Sequence, residues 1–275
     1  MLRSPRQLRS AREIAAMRQA GLVVWHTMKA IEPMIRPGVT TAEIDAVVTR
    51  IFAEHKAEPL FLNFPNSTPG WPPFPAVTCI SVNEEVVHGI PSPRRKLKEG
   101  DIVSIDTGCK LAGWCGDAAA TFPVGKIDRD KQQLLEVTEN VLFMAIDLMG
   151  KKTRWSEVAA QMEKYVKDHR FSVVEDFVGH GIGRQMHEDP QVPNFVTRRS
   201  PRSADFRLEE GLVIAVEPMV NLGTKEVRIL SDCWTQTTRD GKPSAHFEHT
   251  IAITAAGPTV LTAGPNGELR LRDRD

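Results

Sequence analysis

The sequence is poor in cysteine, in long apolar runs and in net charge. Its 275 residues contain four cysteines, and no Cys-x-x-Cys pair offers a zinc knuckle or a redox motif. No window approaches the roughly 18 consecutive apolar residues that cross a bilayer, and 35 basic residues balance 35 acidic ones. The composition therefore argues against a membrane protein and against one whose main partner is DNA or other nucleic acid.

The few cysteines favour free thiols in a reducing compartment, and hence a cytoplasmic location. The N-terminus lacks the apolar stretch of a secretory signal. Four arginines precede its first acidic residue, a bias that transit peptides share, so organelle import is the less favoured alternative.

Two pairs of helices alternate with groups of short strands along the chain. Capping boxes at Ser10 and Thr40 begin the first two helices, and Pro33 ends the first of them. Apolar residues at helical spacing predict the second pair over residues 129–149 and 155–169. Short apolar runs predict strands at 77–82, 102–105, 118–122, 172–178, 212–217, 227–230 and 246–253. This order predicts an α+β fold built from two similar halves.

We expect a single domain over residues 10–264, with an N-terminal arm of residues 1–9 and a polar C-terminal tail of residues 265–275. Between residues 58 and 75, six prolines forbid helix and predict a long structured loop. Its aromatic residues are candidates to line a pocket, with plain anchoring of the loop as the alternative: Phe61, Phe64, Trp71 and Phe74.

Carboxylates stand beside apolar strands where charge is costly. Asp106 follows the run 102–105, which reads as buried on both faces. An unpaired carboxylate there costs several kcal/mol or becomes protonated. Asp117 opens the next strand, and a hairpin turning through residues 112–113 would set the two acids side by side. Like charges at that distance repel unless a cation separates them.

Two more acids and a histidine occupy similar positions. Glu217 ends an apolar strand where Pro218 stops the pairing. Glu248 shares a strand face with His246 and faces a smaller, more polar space. His180 stands among glycines that permit close approach of a ligand. One imidazole with four carboxylates suits divalent ions, and four negative charges balance two such ions.

Other kinds of site fit the sequence less well. The glycines around His180 lack the spacing and the following lysine of a phosphate loop. Neither a Gly-x-Ser-x-Gly elbow nor a Cys/His nucleophile pair is evident. His88 and His187 are candidates to contact a substrate or to orient a ligand, because neutral imidazole donates or accepts hydrogen bonds beside a metal. Each acid alone is also consistent with an ordinary salt bridge.

Together these segments resemble the type I methionine aminopeptidases. The matching motifs run in order over roughly residues 10 to 262: CISVNEEVVHG (79–89), GDIVSID (100–106), GD (116–117), GHGIGRQMHE (179–188), VEPMV (216–220) and FEHT (247–250). The resemblance implies the α+β pita-bread fold, with pseudo-two-fold halves and an antiparallel sheet covered by two helix pairs. It also implies a hydrolase that removes the initiator methionine from nascent polypeptides with a small second residue, through a metal-bridging water.

The resemblance also implies a role for each site residue. It implies five ligands for two divalent ions of cobalt, manganese, iron or zinc: Asp106 for one ion, Asp117 and Glu248 as bridges, and His180 and Glu217 for the other. It further implies that His88 and His187 contact the substrate and that Glu217 shuttles a proton. Cys79 and Trp234 match residues of the family's methionine pocket.

The sequence departs from the family pattern at that pocket. The segment WPPFP, with Trp71 and Phe74, replaces a short Tyr-His-Gly-Tyr-Pro stretch, and Met186 stands where an aromatic residue is common. We therefore count Trp71, Phe74 and Met186 among the substrate-binding residues and expect a reshaped pocket. Because an apolar pocket discriminates one methylene by only about 1–3 kcal/mol, small changes there alter selectivity.

Two alternatives remain open at this point. One is an aminopeptidase of the same fold with another N-terminal specificity, such as the proline type. The other is a non-catalytic pita-bread binding module, which would lack one or more of the five ligands. We expect a monomer whose partners are nascent N-termini. Seven basic residues are candidates for a transient ribosome contact, against the alternative of solvated loop charge: Arg94, Arg95, Lys96, Lys98, Arg198, Arg199 and Arg202.

Overall fold

A computed structural model describes residues 7–196 and 205–272 of the chain. A pair of helices precedes each group of strands, as the sequence predicts, and the α+β class is confirmed. The helices are α1 (Ala11–Ile31), α2 (Thr41–Glu54), α3 (Arg129–Met149) and α4 (Trp155–Asp168), with a short 3-10 helix at Glu32–Met34.

The helices begin at the predicted capping residues. The Ser10 side chain accepts from the backbone N–H of Glu13, whose carboxylate accepts from the backbone of Ser10. Thr40 and Glu43 repeat this reciprocal pair at α2. Each box satisfies backbone N–H groups that the first turn of a helix leaves without a partner.

The strands are short apart from one long hairpin. The first group comprises β1 (Glu58–Pro59), β2 (Cys79–Val82), β3 (Glu85–Val87), β4 (Ile102–Leu111) and β5 (Trp114–Pro123). The second comprises β6 (Ser172–Val173), β7 (Gly179–Gly181), β8 (Glu188–Val192), β9 (Val213–Val216), β10 (Met219–Asn221), β11 (Val227–Ile229), β12 (Gln236–Thr238), β13 (Ser244–His246), β14 (His249–Thr254) and β15 (Gly257–Val260). Residues 60–78 contain neither helix nor strand, which confirms the proline-rich loop.

The β4–β5 hairpin places two of the predicted acids. Its turn lies at residues 112–113, as predicted, and both have positive φ angles, which fits a tight hairpin turn. Asp106 lies opposite Ala119, and Asp117 lies opposite Gly108, so the two carboxylates are diagonal neighbours on one face. Both strands extend beyond the predicted apolar runs, because their polar residues pair with each other up to the turn. The two acids therefore lie within strands and not at strand ends.

The strands that carry Glu217 and Glu248 are interrupted at those residues. β9 and β14 belong to a five-stranded sheet in the order β15-β14-β9-β7-β8, whereas β10 and β13 belong to the sheet β13-β10-β6. The predicted continuous strand over residues 246–253 is therefore wrong. Its chain breaks because the Glu248 backbone pairs with Ala119 of β5 instead. The predicted strand 172–178 is also wrong beyond β6, since the chain bends through exposed residues 175–176.

Three contacts between β5 and the second half lie beside the site residues. Ala119 and Glu248 exchange backbone hydrogen bonds, with N–O distances of 2.8 and 3.4 Å. In the other two contacts a threonine hydroxyl bridges the backbone N–H and C=O of one residue: Thr121 bridges His246, and Thr250 bridges Asp117. The carboxylates of both halves are thus brought to one seam.

Helix α1 packs directly on β5 beside this seam. A Cβ atom on Gly116 would lie 2.7 Å from the backbone nitrogen of Gly21 in α1. Only glycine allows the helix and the strand to approach so closely. The helix thereby shields the strand that carries Asp117 from water, and Asp117 is 3% exposed.

The ends of the described chain pack against the rest of the protein. Arg270 and Arg272 approach the carboxylate of Glu139 in α3, and Leu271 between them is buried. At the other end Arg9 is buried and its backbone N–H donates to the C=O of residue 211. The division into arm, domain and tail stays a prediction.

The state of the cysteines and the character of the helices can be compared with what the composition predicts. All four cysteines are free: Cys79, Cys109, Cys115 and Cys233. Among the described residues, every helix is too short or too polar to span a bilayer.

Candidate metal centre and substrate cleft

The four predicted carboxylates and His180 meet at the seam between the halves. Asp117 on β5, His180 on β7 and Glu248 before β14 each offer a ligand atom, and these atoms lie within 4.8 Å of one another. Glu217, which follows β9, places its Oε1 atom 3.5 Å from Nε2 of His180. Asp106 lies beside Asp117 on the same face of the hairpin. The structure thus brings together all five residues that the sequence singled out.

The local backbone makes room for these side chains. A Cβ atom on Gly108 would lie 2.7 Å from Oδ1 of Asp117, so a larger residue there would displace the carboxylate. Pro218 has no N–H to continue the strand, which ends at Val216 and leaves Glu217 outside the ladder. Gly108 thus leaves room for the Asp117 side chain, and the end of β9 leaves Glu217 free to point toward it.

His180 is oriented as a ligand. Its Nδ1 atom lies 2.9 Å from the backbone oxygen of Gly181, and a carbonyl oxygen only accepts hydrogen bonds. Nδ1 therefore carries the hydrogen, and Nε2 presents a lone pair toward the carboxylates. Burial lowers the pKa of His180 to about 3, assisted by the neighbouring His187, so the ring is neutral near pH 7.

Burial and mutual repulsion raise the pKa values of the carboxyl groups in this arrangement. Burial raises the pKa of Asp117 to about 7. Burial, followed by the negative charges of Asp117 and Glu217, raises the pKa of Asp106 well above its ordinary value. The pKa values of Glu217 and Glu248 rise for the same two reasons, burial first. Four acids that repel one another in a buried space favour either protonation or a bound cation.

The chemistry of the donor set fits divalent metal ions. Oδ1 of Asp106, Oδ1 of Asp117 and Oε1 of Glu248 are buried without a hydrogen-bond partner among the described residues. Buried polar atoms in proteins are nearly always satisfied, so three such oxygens in one place indicate a missing positive partner. Oxygen and imidazole ligands together suit hard or borderline divalent ions.

His88 and His187 lie beside the metal centre. The ring of His187 is 4.4 Å from that of His180 and 5.3 Å from Phe64, each measured between ring centroids. His88 adopts a φ angle of +60° and packs edge to face on Phe177 and Trp234. Burial, and then His187, lowers the pKa of His88 to about 4, so its imidazole is neutral near pH 7.

A cleft of about 810 Å³ opens onto the centre. Its wall includes both of these histidines and three of the five metal-site residues: Asp106, His180 and Glu217. Among the wall residues to which the sequence assigned no role are Phe177, Met219 and His246. Met219 and His246 each stand two residues from a predicted ligand, and His246 shares the strand face of Glu248, which is the signal that could have identified it.

An apolar cluster adjoins the two cleft histidines. Phe74, Cys79 and Met186 pack together with Phe61 and Ala76, all at most 8% exposed. Among the partly buried residues on this cluster are Phe64, which contacts His187, and Trp234, which contacts His88. Four of the five predicted pocket residues are thus brought together.

Trp71 is the predicted pocket residue that lies outside the apolar cluster. It is 37% exposed and its backbone N–H donates to the C=O of Thr68 within the loop. The loop instead places Phe74 inward and ties it down through Trp234, whose Nε1 donates to the C=O of Pro72 at 2.9 Å. The proline-rich segment therefore contributes one aromatic wall to the apolar cluster.

Only four of the seven residues in the predicted basic group are among the described residues. Arg94, Arg95, Lys96 and Lys98 are exposed in the segment before β4. Arg198, Arg199 and Arg202 lie outside the described residues. The structure therefore bears only on the first four.

Comparison with known proteins identifies the family. The model of metallopeptidase family M24 matches residues 15–255. Methionine aminopeptidase 1 of Bacillus subtilis is 44% identical over 254 residues, which cover 92% of this chain and 98% of the relative. The crystal structure of a methionine aminopeptidase from Thermotoga maritima is 39% identical, with a TM-score of 0.85 over 93% of this chain and 98% of that one.

A prolidase from Pyrococcus furiosus shares the fold alone. It is 20% identical with a TM-score of 0.71, and the match covers 94% of this chain but 65% of the prolidase. The proline-type alternative is therefore not favoured, and the expected pita-bread fold is confirmed. From the matched length, the level of identity and the shared fold, this chain belongs to metallopeptidase family M24, in its methionine aminopeptidase branch.

Proposed function

We propose that this chain removes methionine from the N-terminus of polypeptides by metal-dependent hydrolysis. The observation that carries the proposal is the contact between two clusters of different chemistry. A buried group of acids with unsatisfied oxygens lies on one side of His88 and His187, and an apolar cluster lies on the other. This arrangement suits a substrate whose apolar first side chain enters the cluster while its first peptide bond faces the acids.

We further propose two divalent ions, of cobalt, manganese, iron or zinc. Asp106 would hold one ion, His180 and Glu217 the other, with Asp117 and Glu248 shared between them. When bound, such ions supply Lewis acidity and lower the pKa of the attacking water. The protein contributes four carboxylates whose charge balances two divalent ions.

Glu217 is proposed to move the proton. Burial, followed by the negative charge of Asp117, raises its carboxyl pKa and so favours uptake of a proton. In this role Glu217 would accept a proton from the attacking water and return it to the leaving amine, and such transfer contributes about 10²–10⁴-fold in rate. Its position beside His180 keeps that transfer within the metal centre.

His88 and His187 are proposed to hold the peptide bond. Both pKa values are lowered, chiefly by burial, so each ring is neutral and donates one N–H without carrying charge. A neutral donor stabilises negative charge that develops on the carbonyl oxygen and does not repel nearby metal ions. The aromatic contacts to Phe64, Phe177 and Trp234 hold the rings in place.

The apolar cluster is proposed to select the first side chain. Cys79 and Met186 are small or flexible beside the rigid ring of Phe74, so the pocket suits an unbranched chain such as methionine. Burial raises the pKa of the Cys79 thiol well above its ordinary value, and the acids Asp106 and Asp117 add to the rise, which keeps this wall uncharged.

The proposed substrates are nascent polypeptides with a small second residue, and the proposed enzyme is a cytoplasmic monomer without DNA or membrane partners. The four free thiols are consistent with a reducing compartment. Arg94, Arg95, Lys96 and Lys98 offer exposed positive charge for a transient contact with ribosomal RNA. Ribosome co-sedimentation that is unchanged when these four residues are made neutral would remove the contact from the proposal.

The activity is tested with three peptides on metal-stripped protein. Met-Ala-Ser, norleucine-Ala-Ser and Leu-Ala-Ser are incubated with increasing manganese or cobalt, and the released amino acid is measured. We expect metal-dependent release of methionine, slower release of norleucine and little release of leucine. If no ion supports release from any of the three, the proposal is wrong, and failure to bind metal as well would favour a binding module.

A further inference from the structure

One buried histidine of the cleft has no part in the proposed mechanism. His246 ends β13, is 2% exposed and lines the cleft. Its Nε2 atom is buried and has no hydrogen-bond partner among the described residues. Burying a nitrogen without a hydrogen-bond partner costs free energy, so its burial here points to a partner during function.

The backbone of His246 is fixed from two sides. Its N–H donates to Oγ1 of Thr121 at 2.8 Å, and its C=O accepts from the same hydroxyl at 2.9 Å. It also lies opposite Met219 in the β10–β13 pair. From this fixed backbone the side chain lines the cleft, with Nε2 facing Oε2 of Glu217.

The two oxygens of the Glu217 carboxylate each face an imidazole. Oε1 is 3.5 Å from Nε2 of His180, and Oε2 is 4.0 Å from Nε2 of His246. The two rings are not equivalent. His180 carries its hydrogen on Nδ1, so its Nε2 presents a lone pair and donates nothing to Glu217. The other ring is therefore the imidazole able to donate to this carboxylate.

We propose that His246 is a positioning residue that donates a hydrogen bond from Nε2 to Oε2 of Glu217. The distance of 4.0 Å is about 1 Å longer than such a bond, which a small side-chain rotation closes. The donated bond fixes one carboxylate oxygen and leaves Oε1 beside His180 for metal binding and proton transfer. Hydrogen bonds of this kind orient a ligand, and their loss typically costs about 10–100-fold in metal affinity or activity. The inference rests on the proposed role of Glu217 in the metal centre.

Three substitutions of His246 distinguish the loss of its hydrogen-bond donor from a change in side-chain volume. In His246→Gln the amide nitrogen reaches the place of Nε2 and keeps the donor. In His246→Asn the amide is shorter, so a polar group remains but does not reach Glu217. In His246→Leu the volume is kept and the donor is lost. All three are compared with the wild type by cobalt titration, followed by visible absorption, and by kcat and KM for Met-Ala-Ser.

We expect the Asn and Leu variants to lose about 10–100-fold in cobalt affinity and in kcat, with KM little changed. The Gln variant should bind cobalt and turn over peptide much as the wild type does. Cobalt binding is measured without substrate, so it reports on Glu217 independently of activity.

Two results would overturn the inference. If Asn or Leu binds cobalt and turns over peptide as the wild type does, the imidazole merely fills space. If Gln is impaired as severely as Leu, donation to Glu217 is not what the ring provides. A wild type that neither binds cobalt nor releases methionine would instead contradict the proposed function itself.

Discussion

Two buried acidic regions of this protein differ in whether positively charged side chains pair with their carboxylates. Glu139, on α3, is 2% exposed, and the guanidinium groups of Arg270 and Arg272 both approach it. The metal centre holds four carboxyl groups, of which Asp117 and Glu248 are buried to a similar degree, yet three of their oxygens have no partner among the described residues. At Glu139, which lies away from the cleft, the protein supplies arginine side chains as the positive partners of the buried carboxylate. At the seam between the halves no Lys or Arg of residues 7–196 or 205–272 forms an ion pair with the four acids, which leaves that position for ions from solution.

The largest effect is expected from removing a shared ligand of the metal centre. Asp117→Ala should lose both ions together and with them the hydrolytic activity, because the carboxylate is proposed to bridge. Metal content is measured by elemental analysis of the purified protein, with Asp130→Ala as a matched control on the exposed first turn of α3. A variant that kept full metal occupancy would contradict the bridging role.

The opposite result is expected at the other acidic region. Glu139→Gln removes the charge that compensates the buried Arg272 guanidinium, which is 5% exposed. Breaking a buried pair from one side costs about 3–5 kcal/mol. Urea unfolding of the metal-loaded protein should show this loss, while the number of bound ions stays unchanged. A loss of metal without a loss of stability would show that the two regions are not distinct in kind.

A further acid, Glu188 at the rim of the cleft, also tests the comparison. Its Oε2 atom pairs with the guanidinium of Arg9, and its Oε1 atom accepts the backbone N–H groups of Arg184 and Gln185, just before His187. Because this carboxylate has a protein partner, Arg9→Met should lower the free energy of unfolding by about 1.5–3 kcal/mol and leave metal content unchanged.

The control for this variant is an exposed pair. Lys151→Met breaks a surface contact with Asp147 and should cost no more than about 0.3–0.5 kcal/mol. Urea unfolding of both variants gives the comparison. Equal effects of the two substitutions would mean that the partly buried Arg9 pair contributes no more than a surface ion pair.

The smallest effect is a pH dependence of stability that is larger in the metal-free protein than in the metal-loaded one. The folded pKa values of the four acids are raised, to about 7 for Asp117, so the folded state binds protons more tightly than the unfolded chain. Stability from this source is present at low pH and is lost as the pH rises through the folded pKa values. Above about pH 7.5 the buried histidines, whose folded pKa values are lowered, are neutral in both states and add little slope.

The melting temperature should therefore fall as the pH of metal-stripped protein is raised from about 7.5 to about 8.5. A change of about 1 kcal/mol corresponds to about 2–4 °C for a chain of this size. Saturation with manganese should reduce the decrease, because bound ions keep the acids ionised, whereas the buried thiols Cys79, Cys109 and Cys115, whose pKa values are raised, contribute a fall near pH 8.5 with or without metal. A metal-free protein whose melting temperature rises over this interval would contradict the raised pKa values.

The features that could be predicted from sequence are those with a local physical cause. The capping boxes at Ser10 and Thr40 satisfy helix ends within four residues, and the helices begin there. An acid in an apolar strand is conspicuous whatever the fold, so Asp106 and Glu217 could be identified as candidates from the sequence.

The features that could not be predicted depend on distant partners. The break before Glu248 arises because its backbone pairs with Ala119, about 130 residues away. Both faces of that segment are buried, so no alternation of polar and apolar residues marks the break. Trp71 and Phe74 look equivalent in a proline-rich loop, and only the packing of Trp234 on Phe74 distinguishes them. The 4.0 Å approach of His246 to Glu217 likewise depends on how the chain folds between the two residues.

The uncompensated acids at the seam are proposed to take ions from solution, and a metal titration of the stripped wild type probes this role without any substitution. Metal binding and methionine release are recorded together in the same samples. We predict saturable binding of two divalent ions per chain, with release of methionine from Met-Ala-Ser that rises as the centre fills. Full methionine release from protein that binds no metal, or the absence of metal binding at any concentration, would contradict this role of the acids.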